Sequence, residues 1–296
     1  MTSPRVSFIV VTHARAQWLS GALASIQRQT VNCREIVVVV NGPDPETEQL
    51  LRALGSEARV AVLEHNYGVG AGRNAGVALA RGEILVFLDD DAELRDPDTV
   101  ARLLTHFERD ADLAVVGVLV INAANGSIER RCIPFRNKRV PGGPTAACYF
   151  AGGACLVRRR VFDRVGLYDE SLFYGGEELD LSYRLLGAGF RLLFDPTVAV
   201  LHHPAQGLGE SFAPYFFARN RPWVALRHLP LLYCVTHTLA WWVFGLAIGF
   251  RERGVRGALR GMRDCVAGMP GIWRGRRPIS GQVRRLLARN GGRLWY

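Results

Sequence analysis

The residues best suited to chemistry stand at positions 89–91. There the stretch EILVFLDDDAEL, residues 83–94, runs an apolar segment, Ile84 to Leu88, straight into Asp89, Asp90 and Asp91. Hard divalent cations such as Mg²⁺ or Mn²⁺ take oxygen ligands, and one or two carboxylates commonly hold them while they bridge substrate phosphates. Asp89 and Asp91, flanking Asp90, can place one carboxylate on a ligand and one on a metal. Helix capping or a solvated loop is the plainer reading of isolated Asp pairs. It explains three in a row less well, because like charges this close repel and a cation relieves the repulsion.

A second candidate lies just upstream. Gly70-Ala71-Gly72-Arg73-Asn74-Ala75 fits G-x-G-x-x-A after an apolar run and before a helical pattern, with an acid 17 positions past Gly72, as a dinucleotide-binding turn requires. Three features argue against a nicotinamide cofactor: a strand-helix unit already precedes the pattern, Arg73 occupies the turn, and the downstream acid is a cluster. Arg73 near a helix N-terminus suits the diphosphate of a different ligand. A purely structural turn is the other reading, and an NAD-binding Rossmann oxidoreductase stays open as an alternative function.

The elements that must position these residues can be read from periodicity. Val6–Val11, Glu35–Val40, Val60–Leu63 and Ile84–Leu88 are expected as strands; Trp18–Ile26, Pro45–Leu54 and Gly72–Ala80 as helices. This alternation, with strands apolar on both faces, predicts a parallel α/β sheet. Ligands collect beyond the carboxyl ends of such strands. Those ends are Thr12-His13, Asn41-Gly42, the turn after Leu63, and Asp89 to Asp91, all on one rim. Further on, a helix is expected near Asp98–Arg109 and a strand over Ala114–Ile121. A Pro- and Gly-rich excursion follows over Asn122–Pro144, then a strand over Tyr149–Val157 and helices over Arg159–Val165 and Glu177–Leu186. Two short strands, Phe190–Phe194 and Val198–Leu201, end at His202-His203.

At 296 residues and 49% apolar, the chain can bury a substantial core. Its net charge of +10 does not imply nucleic acid: residues from Arg251 onward hold twelve Arg against Glu252 and Asp264, so the body before them is neutral. Six cysteines without C-x-x-C spacing fit a reducing compartment and no zinc site, and the apolar run near the start is too short for a secretory signal. Leu229 to Phe250 carries no formal charge over 22 residues and is flanked by arginines. It is expected to lie on an anionic membrane surface, with a single span or a soluble helix as the rival readings.

In this order, VSFIVVTHARAQWLSGALASI, VVVVNG, NYGVGAGRNAGVALARGEILVFLDDDAE, AGGACLVRRRVFDRVGLYDE and GGEELDLSYRLLGAGFRLLFDPTVAVLHH resemble a family 2 glycosyltransferase of the GT-A fold, most like rhamnosyltransferase-type members that build envelope glycans. The resemblance covers residues 5 to about 222. It implies a mixed, mainly parallel sheet with helices on both faces over residues 1–222; the apolar run and the arginines beyond it are expected to form a helical, membrane-associating tail over 223–296. The implied reaction is inverting transfer of a hexose or deoxyhexose from a nucleoside diphosphate sugar to a glycan or lipid-linked acceptor, with Mg²⁺ or Mn²⁺ and no nucleic-acid partner. The expected location is the cytoplasm, at the inner face of the cell membrane.

Residue by residue, the resemblance puts Thr12 and the adjoining His13 against the nucleobase, with Asn41 where the family more often has Asp. Arg73 would face the diphosphate. Asp89-Asp90-Asp91 matches the D-x-D element, with Asp91 as the metal ligand and Asp89 or Asp90 nearer the ribose and sugar. His202 would complete the metal site, with His203 as the alternative. The usual E-D-x-D appears as Glu177-Glu178-Leu179-Asp180, which puts Glu178 in the base position, with Glu177 second; helix capping and an Asp180–Arg184 pair are the structural readings of the same acids. Gly152-Gly153-Ala154 suits either close approach of an acceptor or a tight turn, and Arg219-Asn220 matches an R-N pair of these enzymes. With Asn41 and Glu178 as departures, a catalytically inactive scaffold of this fold is also open.

Overall fold

The structure is a computed structural model and describes residues 5–32, 34–54, 57–203, 211–292 and 294. The first half alternates as expected: β1 (Val6–Thr12), α1 (Ala16–Gln27), β2 (Arg34–Val40), α2 (Pro45–Ala53), β3 (Arg59–Val62), α3 (Val69–Leu79) and β4 (Ile84–Asp89). Next come β5 (Ala92–Leu94), α4 (Thr99–Arg109), β6 (Leu113–Asn122), β7 (Thr145–Ala147) and β8 (Ala154–Arg158). The remainder is α5 (Val161–Val165), α6 (Glu177–Gly187), β9 (Arg191–His202), α7 (Phe212–His228), α8 (Leu231–Arg251), α9 (Val255–Arg274) and α10 (Gly281–Arg289).

One mixed sheet in the order β3-β2-β1-β4-β8-β6-β9-β5 organises the body, with β7 sharing the β9 edge with β5. The long pairings of β1 with β2 and β4, β2 with β3, and β6 with β9 are parallel; β8 runs antiparallel between β4 and β6. Strand alternation divides the core. Ile84, Val86 and Leu88 face α1 and α4 with Leu19, Leu23, Leu103 and Phe107, while Leu85 and Phe87 face the side where Val77 of α3 and Leu181 and Leu185 of α6 pack. Both faces are covered, as continuous apolar strands demand.

Three elements differ from the sequence reading. The Gly70–Ala75 segment is helix, not turn: α3 starts at Val69, with Gly68 at its N-cap. A Cβ on Gly72 would stand 2.5 Å from Val11 Cγ1, and one on Gly76 2.3 Å from Ile9 Cγ2, so these glycines let α3 lie close against β1. Tyr149–Gly153 does not join the sheet, and β8 begins only at Ala154. The expected pair of short strands is one strand, β9, with a bulge where its register to β6 jumps from Val118↔Asp195 to Leu119↔Ala199. Asp195 fixes the bulge by accepting from Thr197 N at 2.9 Å and Thr197 Oγ1 at 2.7 Å.

The C-terminal helices are not detached from the body. Helix α7 runs through the expected boundary at residue 222, and α9 packs along it through small residues: a Cβ on Gly257 or Gly261 would meet a backbone oxygen of Ser211 or Tyr215 at 2.3 Å. Helix α10 folds back, with Val283 and Leu287 buried against the core that holds Ile133 and Cys148. Helix α8 is long and apolar enough to cross a membrane, yet most of it is not buried. Leu232 is 65%, Val235 58%, Leu239 58% and Val243 67% exposed along one face. Five cysteines are unbridged, and Cys33 lies outside the described residues.

Candidate active site

The carboxyl ends of β1, β2 and β4 open into a crevice of about 960 Å³ that continues toward α7 and α8. Thr12, His13, Asn41, Arg73, Asp89, Asp90, Asp91, Glu177, Glu178 and His202 all border it, whereas His203, Asp180, Arg219 and Asn220 do not. A space of this size accommodates a ligand as large as a sugar nucleotide.

The three aspartates divide between two arginines, because β4 ends at Asp89 and the chain turns there. Asp89 continues the Leu85–Phe87 face of β4 and meets α3: its Oδ1 lies 3.3 Å from Arg73 Nη2. Arg73 is the fifth residue of α3, not part of a phosphate-binding turn, and its side chain is only 4% exposed. Its Nη1 reaches Glu178 Oε1 at 3.2 Å and Glu177 Oε1 at 3.5 Å. One buried guanidinium thus gathers carboxylates from the end of β4 and the first turn of α6. Gly152 and Gly153 make the room: a Cβ on the first would lie 2.4 Å from Arg73 Nη1 and 2.5 Å from Glu178 Oε1, and one on the second 2.4 Å from Asp89 Oδ2.

The two glutamates differ. Burial and the neighbouring Glu178 push the Glu177 carboxyl up to about 8 against the opposing charge of Arg73, and its Oε2 is buried without a hydrogen-bond partner. Glu178 is the more open, 13% against 5%, and stands beside Asp89, whose side chain is 42% exposed.

Asp90 and Asp91 turn instead toward the α1 side, where Arg15 Nη1 contacts Asp91 Oδ2 at 2.9 Å and Asp90 Oδ1 at 3.3 Å. Burial drives the Asp90 carboxyl up to about 7 despite Arg15. Sheet register carries the histidines to this place, because β5 pairs Ala92 with His202 and His203 N donates to Asp91 O. Adjacent strand residues then point oppositely. His202 Nε2 lies 3.6 Å from Asp91 Oδ1, whereas His203 turns to Glu93 Oε1 at 3.1 Å and stacks on Trp18. The Nδ1 of His202 meets Glu129 Oε1 at 2.6 Å.

Among the described residues no three His, Cys, Asp or Glu side chains converge as a metal cage. Two side chains suffice where donor phosphates and water complete an octahedron, and Asp91 with His202 offers an oxygen and a nitrogen at a separation one cation can bridge. The residues present therefore fit such an ion. Arg15 and Glu129 were not foreseen from sequence: Arg15 sits just past a strand end, a weak signal, and Glu129 lies in the excursion after β6, which carries no motif.

Other candidates are engaged in holding loops. Asn41 Nδ2 donates to Gly68 O at 2.9 Å and Asn66 Oδ1 at 3.1 Å, while its Oδ1 accepts from Tyr67 N, so both ends of the amide shape the turn before α3. Asn220 Nδ2 faces the carbonyls of Leu172, Tyr174 and Gly175, and Arg219 donates to Ser171 O and Leu172 O. The R-N pair thereby clamps the loop that delivers Glu177 and Glu178. Asp180 lies away from the crevice, bonded to His228 Nε2 at 2.7 Å, Arg184 Nε at 2.8 Å and Arg227 Nη1 at 3.1 Å. Burial alone would raise its carboxyl, but the hydrogen bond with His228 and the charges of Arg184 and Arg227 outweigh it and hold it well below the usual carboxylate range.

A mixed sheet with helices on both faces and an acidic crevice beyond the parallel strand ends defines the class, an α/β enzyme of GT-A-like fold. The sequence model for Glycosyl transferase family 2 matches residues 7–166, more than half of the chain, and the protein belongs to that family. It is similar to the O-antigen biosynthesis protein RfbC of Myxococcus xanthus, 26% identical over 75% of this chain, although it spans only 19% of that protein's length. To the O-antigen chain rhamnosyltransferase RfbN of Salmonella typhimurium it is 21% identical, over 74% of each chain. Among solved structures, the mannosyltransferase PcManGT of Pyrobaculum calidifontis, in complex with GDP-Man and Mn²⁺, superposes with a TM-score of 0.60 at 19% identity, covering 98% of this chain and 80% of that one.

Proposed function

We propose that this family 2 glycosyltransferase transfers a hexose or deoxyhexose, with inversion and with Mg²⁺ or Mn²⁺, from a nucleoside diphosphate sugar to a cell-envelope or lipid-linked glycan. The observation that carries the reading is the Arg73 cluster, which presents the Glu178 carboxylate to the crevice beside Asp89. In the transfer, the acceptor hydroxyl oxygen forms the bond to the anomeric carbon as its proton passes to Glu178. The carbon's bond to the diphosphate oxygen breaks on the opposite face, and the electron pair leaves with the nucleoside diphosphate. Glu177 is the poorer base, because a carboxyl held up to about 8 keeps its proton at neutral pH.

Asp91 and His202 would hold the divalent cation, whose chemistry is to offset charge on the departing diphosphate. Thr12 and His13 line the part of the crevice assigned to the nucleobase, and Asp89 and Asp90 the part assigned to ribose and sugar. Arg73 acts through Glu178 and Asp89, the groups it contacts, more than through the diphosphate. Asn41 supports the donor site by shaping residues 66–68. The GDP-Man and Mn²⁺ of the mannosyltransferase complex and the O-antigen role named for RfbN support a nucleotide-sugar donor and an envelope acceptor.

In this reading residues 1–222 supply the site, and the helices beyond attach the enzyme to the inner face of the cell membrane, from the cytoplasmic side. Support comes from the exposed apolar face of α8 and the exposed Arg251, Arg253, Arg256, Arg260 and Arg263 that follow in the chain, a pairing suited to acyl chains and anionic head groups.

The testing experiment is thermal protection by UDP-, dTDP- and GDP-sugars with and without Mn²⁺, followed by transfer assays with Glu178→Gln. One donor class should protect in the presence of Mn²⁺. Glu178→Gln should keep that protection and lose about 10²–10⁴-fold in kcat. Protection by NAD alone, or wild-type turnover in Glu178→Gln, would overturn the assignment.

A further inference from the structure

We propose that Glu129 is a positioning residue that turns His202 toward Asp91 and so builds the protein half of the divalent cation site. The proposal rests on the metal-dependent reading above.

All three main chains are fixed by the sheet. His202 pairs with Ala92 of β5 and Asn122 of β6, and its carbonyl accepts from Ala123 N at 2.9 Å. Asp91 is tied to the same strand by the bond from His203 N at 2.8 Å. Just after β6 the chain folds back on itself through the Ile121↔Ile128 bridge, and Glu129 N donates to Val120 O at 2.9 Å. The Glu129 side chain is 8% exposed, and both of its oxygens are engaged, Oε1 with His202 Nδ1 at 2.6 Å and Oε2 with Arg131 Nε at 2.7 Å.

A carboxylate on one imidazole nitrogen holds that nitrogen's proton, so in the neutral ring the other nitrogen presents a bare lone pair. In the tautomer with the proton on Nδ1, that atom is Nε2, the nitrogen on the Asp91 side. The 3.6 Å between Nε2 and Asp91 Oδ1 is too long for a good hydrogen bond. Two ligands each roughly 2.1 Å from one cation stand about 3–4 Å apart, depending on the angle between them. Carboxylate support behind a ligating histidine fixes tautomer and ring orientation, and its loss typically weakens metal binding ~10–100-fold.

The test is Mn²⁺ binding by the intact chain, measured by electron paramagnetic resonance with Mn²⁺ alone and with UDP or GDP added, for wild type, Glu129→Gln, His202→Gln and the double variant. Thermal unfolding without metal checks that each variant is folded. Glu129→Gln should weaken Mn²⁺ about 10–100-fold, and should add little once His202 is Gln, because Glu129 acts through that ring. Unchanged affinity in Glu129→Gln, or an equal further loss in the His202→Gln background, would overturn the proposal while leaving the metal reading in place. A wild-type chain that binds no Mn²⁺ with any of these would overturn both.

Discussion

Arg73 Nη1 stands 3.2 Å from Glu178 Oε1 while Nη2 of the same guanidinium stands 3.3 Å from Asp89 Oδ1, so a single buried cation joins α6 to the end of β4. Removing one partner of a buried ion pair leaves uncompensated charge and costs about 3–5 kcal/mol. Arg73→Gln should therefore unfold at clearly lower denaturant concentration than wild type. Arg73→Lys keeps the charge and loses the planar fork, so it should fold and bind donor with KM near wild type while kcat falls. Chemical denaturation and steady-state kinetics check the two outcomes.

Glu177 gives a pH signature. Its folded carboxyl, driven by burial up to about 8, keeps its proton over a range where the unfolded chain, near 4.5, has already lost its own. The native state then binds more protons than the unfolded state, and stability falls as pH rises through that window. Glu177→Gln removes the penalty. It should raise the melting temperature relative to wild type at pH 8, with the gain shrinking toward pH 4.5. A constant difference across that range would show that Glu177 is ionised throughout.

Much of the sheet was legible because β1, β2 and β4 are continuous apolar runs ending in polar residues, a pattern with one economical solution. The ends of those runs named the rim, and the residues on it do share a crevice. What resisted reading was set by long-range contacts. The glycines of Gly70–Ala75 match a phosphate-binding pattern, yet Gly70 lies against Tyr168 and Asp169, and Gly72, like Gly76 one turn on, against Val11 and Ile9 of β1, partners that no local window contains. Tyr149–Val157 looks like a strand by composition, yet its first half lies outside β8, and Gly152 and Gly153 there pack closely against Arg73, Glu178 and Asp89, partners distant in sequence. Arg15 and Glu129 acquire meaning only once the fold sets them against Asp91 and His202.

Asp180 belongs to the same acidic stretch as Glu178 and serves a different purpose. Its side chain, 2% exposed, pins α6 to α7 through His228 and Arg227. Because its folded carboxyl lies below the ordinary Asp range, its contribution is complete above about pH 4 and fades as pH falls below that value. Asp180→Asn should lose about 3–5 kcal/mol at pH 7, with the gap to wild type narrowing toward pH 3. Urea titrations at neutral and acid pH measure both.

The exposed face of α8 makes the location testable without knowledge of the substrate. Leu232, Val235, Leu239 and Val243 follow helical spacing on one side of a helix whose opposite side packs on α7 at the buried Gly245, where a Cβ would lie 3.4 Å from Ala218 Cβ and 3.5 Å from Pro214 O. Full burial of one such side chain is worth about 1.5–3 kcal/mol, and immersion at a lipid interface recovers part of that. Anionic attraction adds about 1 kcal/mol per arginine near the surface and is screened by salt. The intact chain should therefore sediment with phosphatidylglycerol-containing vesicles, less with purely zwitterionic ones, and less again as salt is raised. Leu232→Gln with Val235→Gln and Leu239→Gln should reduce partitioning at least about tenfold while changing the melting temperature little, since these side chains are more than half exposed. If the wild-type chain stays in the supernatant with both vesicle types, the face serves something other than a bilayer, and membrane attachment must be dropped from the proposed function.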